Sequence, residues 1–377
     1  MKILVAMSGG VDSSVVAHKL KEEGHEIIGV RFTLWTDPLA PPLAQILPSK
    51  CCNAQTVARA NQVAKDLDIP LQILDLEQEF KRDVVDPFLQ GYREGSTPNP
   101  CIGCNRSVKF GRLLELCKEL GCEKLATGHY ARVAEEKQSD GSVRYLLLEG
   151  LDRTKDQSYY LYGLNQEQLS TVMFPLGGLH KSEVFELAIQ YGVPYDDTSY
   201  RESQDLCFFP EKQPEQFLKR YIKDSKPGDI KLEDGTVVGQ HKGIPFYTIG
   251  QRKGLGIGGL KIPLHVVRKD CGSNTVFVAP DGADLKKDLS ASDLRWVSWE
   301  PPRNVKNDFQ ARIHSLGTKH DGVLEHDGKT LDFRFDKGLR GIAAGQSIVL
   351  YRGEEIVGGG VITEEMQEVK TMVQSCS

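Results

Sequence analysis

The chain has 377 residues, of which 40% are hydrophobic, and its formal net charge at pH 7 is −5. This length predicts two or three domains, and the apolar content predicts a packed core. We find no signal peptide and no apolar run long enough to span a bilayer, so we expect a cytoplasmic protein without a membrane partner. Nine cysteines without a secretory signal indicate thiol, metal or catalytic roles rather than a disulfide framework.

The most informative segment runs from Ser8 to Ser14, SGGVDSS, between a strand-like apolar run at Ile3–Ala6 and a helical pattern. Glycines let the backbone approach an anion, and the first helical turn attracts it, so the pattern predicts a phosphate-binding loop. The segment lacks the lysine of a Walker loop, and Asp12 is placed to hold Mg²⁺ on a pyrophosphate. A serine-capped helix start is the simpler alternative. The motif resembles the PP-loop of the ATP pyrophosphatases, which cleave ATP between the α- and β-phosphates.

Strand and helix patterns alternate from the N-terminus to about residue 200. The predicted elements are strand Ile3–Ala6, helix Ser13–Glu23, strand Ile27–Arg31, helix Gln55–Leu67, strand Leu71–Leu76, helix Gln78–Tyr92, helix Val108–Leu120 and strand Lys124–Thr127. This rhythm predicts an α/β fold with a doubly wound parallel sheet. Ligands of such sheets lie at the carboxyl ends of the strands, where we expect the SGGVDSS loop and His129.

Cys101 and Cys104 form a C-x-x-C pair directly after the segment TPNP, residues 97–100. Two prolines in four residues predict a stiff, non-helical loop. Such a pair serves as a metal half-site, a redox dithiol or a nucleophile, and these alternatives stay open at this point. Cys207 by itself is more typical of a small core residue. Cys51 and Cys52 adjoin a proline-rich stretch and have no second pair at zinc spacing.

Beyond Asp205 the alternation stops. A short helix, Pro214–Lys223, leads into a glycine-rich segment, and residues 240–270 contain six basic residues and one acidic residue. This stretch is suited to phosphates, although a solvated loop is the common alternative. Short β-type runs then predict a small antiparallel barrel; they are Thr275–Ala279, Phe309–Ser315, Thr330–Phe335, Gln346–Tyr351 and Glu355–Ile362. The predicted domains are residues 1–205, 206–275 and 276–377.

Together the motifs resemble those of the bacterial tRNA-specific 2-thiouridylases, the MnmA type of PP-loop enzyme. The matching segments cover nearly the full length; they are SGGVDSS, TPNPCIGCN (97–105), KFG (109–111), TGHYA (127–131), KDQSYYL (155–161), ESQDLCF (202–208), GQRKGL (250–255) and AGQ (344–346). The resemblance implies an N-terminal PP-loop domain of the adenine nucleotide alpha hydrolase-like class. A small central tRNA-binding domain and a C-terminal antiparallel β-barrel follow it.

The resemblance also implies a two-step reaction on the wobble uridine, position 34, of the tRNAs for Lys, Glu and Gln. ATP adenylates O2 of the uracil and releases pyrophosphate, after which a persulfide on Cys207 attacks C2 and AMP leaves. Cys104 assists through a disulfide with Cys207 or by releasing sulfide from it. AMP is a far better leaving group than the C2 oxygen, and a persulfide is a soft nucleophile at neutral pH. The sulfur comes from a donor such as a cysteine desulfurase or a sulfur-relay protein.

Matched position by position, the resemblance implies three groups of site residues. The catalytic residues are Asp12, Cys104 and Cys207. The ATP contacts are Ala6, Met7, Ser8, Gly9, Gly10, Val11, Asp12, Ser13, Phe32 and Gly128. The tRNA contacts are Asn99, Pro100 and Cys101 at the target base, and His129, Lys155, Asp156, Gln157 and Gln346 elsewhere. The target base must leave the anticodon stack to be reached.

The chain departs from the family pattern at two places. The barrel lacks the usual Arg-Tyr pair near His314 and Ser315, which puts anticodon contacts there in doubt. Cys101 stands where many members have Asp, so Cys101, Cys104 and Cys207 are three candidate thiolates. Three thiolates suit a 4Fe–4S cluster whose open iron holds the extra sulfide. This cluster and the cluster-free persulfide route are equal alternatives.

Two competing interpretations exist, one within the enzymes and one from another class of function. One is a PP-loop ligase or amidating synthetase that acts on a small molecule, but such enzymes lack the cysteine pair and the barrel. The other is a non-catalytic RNA-binding protein with a structural zinc at Cys101, Cys104 and Cys207, which leaves the ATP loop unexplained. A pyrophosphate-release assay distinguishes the RNA-binding protein from an enzyme.

Overall fold

The computed structural model describes residues 1–41, 54–193, 206–211, 213–258, 262–282, 285–304 and 306–363. The strands of the N-terminal part are β1 Lys2–Ala6, β2 Glu26–Thr33, β3 Leu71–Asp75, β4 Lys124–Ala126, β5 Ala131–Lys137, β6 Val143–Glu149 and β7 Val172–Met173. Its single-piece α-helices are α1 Val11–Glu22, α2 Ala54–Asp66, then, after two composite helices numbered α3 and α4, α5 Gln166–Thr171 and α6 Lys181–Gln190. Among the described residues, no helix is both long and apolar enough to cross a membrane.

The composite helices each contain a π-helical middle. Helix α3 runs through Glu77–Phe80, Lys81–Val85 and Asp86–Arg93, and helix α4 through Pro100–Gly103, Cys104–Arg112 and Leu113–Glu119. The prediction of a non-helical loop at Cys101 and Cys104 is therefore wrong. Pro100 occupies the first helical position, where its missing N–H is no loss. The Asn99 side chain caps the helix by accepting the backbone N–H of Cys101 at 3.2 Å.

The predicted doubly wound sheet is confirmed. It is parallel, with the strand order β3-β2-β1-β4-β7, and β1 lies in its centre. Ile3 and Val5 pack with residues of α1 and α6 on one face, whereas Leu4 packs with residues of α4 on the other. Burial on both faces explains why β1 is a continuous apolar run. The SGGVDSS segment leaves the carboxyl end of this central strand.

A separate four-stranded sheet forms the middle of the chain. Its strands are β8 Gly228–Lys231, β9 Val237–His241, β10 Leu264–Asp270 and β11 Thr275–Pro280, in the order β10-β11-β8-β9. Helix α7, Glu215–Tyr221, precedes it as predicted. The prediction that Thr275–Ala279 belongs to the barrel is wrong. That strand pairs antiparallel with β10 and parallel with β8, and its valines enter the core of this sheet.

The predicted C-terminal barrel is confirmed, with one addition. Its strands are β12 Lys286–Trp296, β13 Asn307–Arg312, β14 His320–His326, β15 Leu331–Leu339, β16 Ser347–Arg352 and β17 Glu355–Ile362. They follow the order β12-β15-β14-β13-β16-β17, and pairing of β17 with β12 closes six antiparallel strands. The hairpin β5–β6 of the N-terminal part extends the sheet through β17. The N-terminal part and the barrel therefore share one hydrogen-bonded sheet.

Candidate functional site

The SGGVDSS segment forms a tight turn between β1 and α1. Gly9 has a φ of +76°, and a Cβ at this position would lie 2.0 Å from the carbonyl oxygen of Thr56. Only glycine fits both conditions. The hydroxyls of Ser13 and Ser14 donate to the carbonyl oxygen of Gly10 at 3.1 and 2.9 Å. The start of α1 therefore has the loop-to-helix geometry that binds phosphate groups.

A cavity of about 240 Å³ lies beside this turn. Seven of the predicted ATP contacts line it: Ala6, Met7, Ser8, Asp12, Ser13, Phe32 and Gly128. Gly9, Gly10 and Val11 belong to the turn and are not part of the lining. Two cationic side chains, Arg31 and Lys109, also line it. An apolar wall together with cations and a helix start suits an adenine nucleotide.

Asp12 forms a pair with a lysine that the sequence analysis missed. Its Oδ1 accepts hydrogen bonds from the Tyr130 hydroxyl at 2.9 Å and from the Lys181 amine at 2.5 Å. Lys181 is the first residue of α6, and its side chain is 9% exposed, compared with 29% for Asp12. A lysine from another helix thus lies beside the loop, which contains no lysine of its own. Because 169 positions separate the two residues, no sequence spacing indicates the pair.

His129 lines the same cavity, where the sequence analysis predicted a tRNA contact. Its Nδ1 lies 2.7 Å from the hydroxyl oxygen of Thr127. Burial and then the charge of Lys109 lower the pKa of His129 to about 3. The imidazole is therefore neutral at physiological pH and acts as a hydrogen-bonding group, not as a cation that attracts phosphate.

Cys104 and Cys207 share one environment. Cys104 is buried in an apolar cluster formed by α3, α4, α7 and the Phe208–Phe209 pair, and Cys207 packs against this cluster while half-buried. The Phe208 ring lies 5.3 Å from Phe88. Neither cysteine forms a disulfide. We call this group the thiol cluster, and the role of its two cysteines in sulfur transfer stays a prediction.

Cys101 is not part of the thiol cluster. It lies near Tyr160, whose pKa is raised by burial and, in addition, by Cys101, while a hydrogen bond with Ser315 opposes the shift. Among the described residues, no three His, Cys, Asp or Glu side chains are grouped to hold a metal ion. The prediction that Cys101, Cys104 and Cys207 surround one metal centre is therefore not supported by this arrangement. Cys104 is buried among apolar side chains, whereas Cys101 is half-buried and is not among the residues packed in that cluster.

A barrel loop holds the TPNP segment. The Gln346 amide donates to the carbonyl oxygen of Thr97 at 2.6 Å, and the N–H of Thr97 donates to Ala344 at 2.8 Å. Gly345 has a φ of +88°, and a Cβ there would lie 3.0 Å from backbone atoms of Thr97 and Pro98. Gln346, predicted to contact tRNA, thus orients the segment that carries the predicted base contacts.

The three residues of the KDQ motif, Lys155, Asp156 and Gln157, lie in three different environments. Lys155 is half-buried on a turn, and Gln157 lines the nucleotide cavity while its Oε1 accepts the N–H of Tyr130 at 3.1 Å. Asp156 is 1% exposed. Both of its carboxylate oxygens accept hydrogen bonds inside the protein. The predicted direct contact between Asp156 and tRNA does not fit this geometry.

The basic stretch at residues 240–270 is less positive than its sequence indicates. Arg252 lies 3.1 Å from Asp281, and Arg268 lies 3.5 Å from Glu233. Lys269 is buried and donates to the carbonyl oxygen of Tyr247 at 3.1 Å. A cavity of about 660 Å³ lies beside this stretch, between α7 and residues 245–253.

Three family models match successive parts of the chain. They are described as tRNA methyl transferase HUP domain at residues 1–211, tRNA methyl transferase PRC-barrel domain at 215–280 and aminomethyltransferase beta-barrel domain at 286–362. A protein of Moorella thermoacetica, named tRNA-specific 2-thiouridylase MnmA, is 43% identical over 370 residues, 97% of this chain and 100% of its own. A protein of Caldanaerobacter subterraneus subsp. tengcongensis, named tRNA-specific 2-thiouridylase MnmA 1, is 42% identical over 97% of this chain and 99% of its own.

Proposed function

The chain belongs to the tRNA-specific 2-thiouridylase family, and we propose that it replaces O2 of the wobble uridine in the tRNAs for Lys, Glu and Gln by sulfur. ATP adenylates O2 and pyrophosphate leaves. A persulfide on Cys207 attacks C2, and AMP leaves with the original oxygen. Cys104 then attacks the sulfur of Cys207, which releases 2-thiouridine and leaves a disulfide that an external thiol reduces. A cytoplasmic location is part of this proposal.

One observation carries the proposal: the nucleotide cavity borders the thiol cluster. Leu34 lines the cavity and is also a member of the cluster that contains Cys104, while Phe32 lines the cavity and packs against that cluster. Helix α4 makes a second connection, because Cys104 lies in the cluster and Lys109 lines the cavity. Five residues of an α-helix span only about 7.5 Å, and the wider turns of the π-helical segment here make the span no longer. A base held between the two regions is within reach of both an activated phosphate and a sulfur.

At the nucleotide end, the charged groups have complementary tasks. Asp12 would hold Mg²⁺ together with the phosphates, since Mg²⁺ in such sites needs only one or two protein carboxylates. Lys181 would bind the pyrophosphate as it leaves, and the start of α1 would bind it through backbone N–H groups. Mg²⁺ supplies charge neutralisation of the phosphates when it is bound.

At the sulfur end, the proposal favours the persulfide route over a 4Fe–4S cluster. Cys104 and Cys207 share the thiol cluster, Cys101 is not among its members, and no three potential metal ligands are grouped in the described part of the chain. A cluster with three thiolate ligands needs all three sulfurs around one centre. Iron and acid-labile sulfide in protein purified without oxygen decide between the routes. About four irons per chain, lost in Cys101→Ala, would reverse our preference.

The proposed function is tested by separating its two half-reactions. Wild-type protein, ATP, Mg²⁺, a tRNA transcript and a persulfide donor should yield pyrophosphate and 2-thiouridine. Cys207→Ser should still release pyrophosphate in a tRNA-dependent manner but form no 2-thiouridine. Cys271→Ser, which changes an exposed cysteine of the central sheet, is the matched control and should keep both activities. Thiolation by Cys207→Ser at the wild-type rate would disprove the role of Cys207.

A further inference from the structure

A buried group of charges joins the N-terminal part to the barrel. Arg312, the last residue of β13, donates to Asp156 at 2.9 Å and to Glu149 at 2.6 Å. Lys319 of the barrel donates to Glu149 at 2.9 Å, and Arg153 pairs with the same carboxylate at 2.6 Å. The side chains of Asp156, Glu149 and Arg312 are 0%, 1% and 9% exposed.

Asp156 is buried out of reach of an RNA ligand, and both of its carboxylate oxygens already accept hydrogen bonds. Its Oδ1 accepts the backbone N–H groups of Gly150 at 3.0 Å and Ser158 at 3.1 Å, while its Oδ2 accepts from Arg312. A buried carboxylate needs such partners, because ionisation in an apolar interior is otherwise strongly unfavourable. The two backbone bonds fix the path of residues 150–158, and the Arg312 bond attaches that path to the barrel.

The segment fixed by Asp156 carries residues of the proposed site. Gln157 follows Asp156, lines the nucleotide cavity and binds the backbone of Tyr130, whose hydroxyl donates to Asp12. Tyr160 follows three residues later, and its carbonyl oxygen accepts from Asn105, next to Cys104. A displacement of this segment would therefore move the wall of the cavity and the helix that carries the thiols.

We propose that Asp156 is a positioning residue, which locks the segment of Gln157 and Tyr160 to the barrel through Arg312 instead of contacting tRNA. This inference deepens the proposed function and rests on it. Small displacements near reacting groups reduce rates by about a hundredfold. Loss of the lock should therefore slow the chemical step while tRNA binding, which depends on other residues, remains.

The test compares Asp156→Asn with the wild type in tRNA-dependent pyrophosphate release, at saturating ATP and tRNA and well below the unfolding temperature. We expect kcat to fall about tenfold to hundredfold, with the Kd for the tRNA transcript within about twofold. Arg106→Met is the control, since Arg106 and Asp293 form a pair between the same two parts that is 41% and 44% exposed. This variant should change kcat and Kd less than about twofold.

Each outcome separates the inference from its premise. No pyrophosphate release by the wild type refutes the proposed function. An active wild type with a raised tRNA Kd and unchanged kcat in Asp156→Asn makes Asp156 a tRNA contact and overturns the inference. A lower melting temperature with unchanged kcat makes the residue merely stabilising, and this also overturns it. If Asp156→Asn does not fold, Arg312→Lys provides the test, because lysine keeps the positive charge but cannot donate to Asp156 and Glu149 through two guanidinium nitrogens at once. A wild-type kcat in Arg312→Lys would refute the positioning role of Asp156.

Discussion

Two of the aspartate–cation pairs that connect distant parts of this chain differ in exposure. The open pair, Asp12 with Lys181, borders the nucleotide cavity, and 29% of the Asp12 side chain is exposed. The closed pair, Asp156 with Arg312, has a carboxylate that is 0% exposed. In our proposals the same chemistry therefore serves a ligand in one case and the docking of the barrel in the other. Solvent access, not residue type, separates the two roles.

The largest expected effect is on the open pair. Lys181→Met removes the cation that we assign to the leaving pyrophosphate, and it should lower pyrophosphate release about 10²- to 10³-fold, as loss of one preorganised charge does in other enzymes. Asp12→Ala should abolish release through loss of the Mg²⁺ ligand. Lys19→Met, which removes an exposed pair with Glu23 at the other end of α1, is the control. Activity of Lys181→Met near the wild-type level would contradict the assignment.

The closed pair should dominate stability instead. Asp156→Asn removes the negative charge beside the buried Arg312 and replaces one acceptor oxygen by an NH2 donor, and loss of one ionised member of a buried pair typically lowers the free energy of unfolding by about 3 kcal/mol. Lys181→Met should lower it by about 1 kcal/mol, because water reaches Asp12. Thermal unfolding of the two variants measures the contrast. Equal shifts would show that exposure does not separate the pairs.

A smaller effect is expected where the barrel loop holds the TPNP segment. Gly345→Ala adds a Cβ 3.0 Å from the backbone of Thr97 and Pro98 at a φ of +88°. Left-handed strain plus displacement should lower the free energy of unfolding by about 2 kcal/mol and slow thiolation. Gly353→Ala is the control, because its φ is +62° and its Cβ would meet nothing within 4 Å. Gly353→Ala should lower the free energy of unfolding through backbone strain but leave the rate of thiolation unchanged.

The smallest effect concerns His129 and pH. Its folded pKa of about 3 lies below its ordinary value of 6.5, so the unfolded chain binds this proton more readily and folding stability falls as pH drops below about 6.5. The loss continues to about pH 3. Since the ring is partly exposed, we expect about 1 kcal/mol by pH 5. His129→Gln should remove this contribution, which urea titrations at pH 5 and pH 7.5 measure. If the free energy of unfolding changes equally with pH in the wild type and in His129→Gln, His129 is not desolvated by the cavity.

Much of the nucleotide end could be predicted, because its determinants are local. A buried apolar strand, two glycines and a helix pattern lie within a short stretch, and the structure has this order. The start of α4 was predicted wrongly for an equally local reason. Two prolines indicate a loop unless one of them occupies the first helical turn, where Pro100 fits. The hairpin β5–β6 was missed, because its pairing partner β17 lies some two hundred residues further along the chain.

The sequence by itself determined the loop at Gly9, the strand–helix alternation, the closed barrel and the family. Only the tertiary structure decided which aspartate faces the cavity and which is sealed, since Asp12 and Lys181 lie 169 positions apart and Asp156 and Arg312 lie 156 apart. Backbone conformation is set by neighbouring residues, and sequence patterns record it. The exposure of a side chain and the identity of its ionic partner depend on how elements that are distant in sequence pack together. The spacing of residues along the chain does not record that packing.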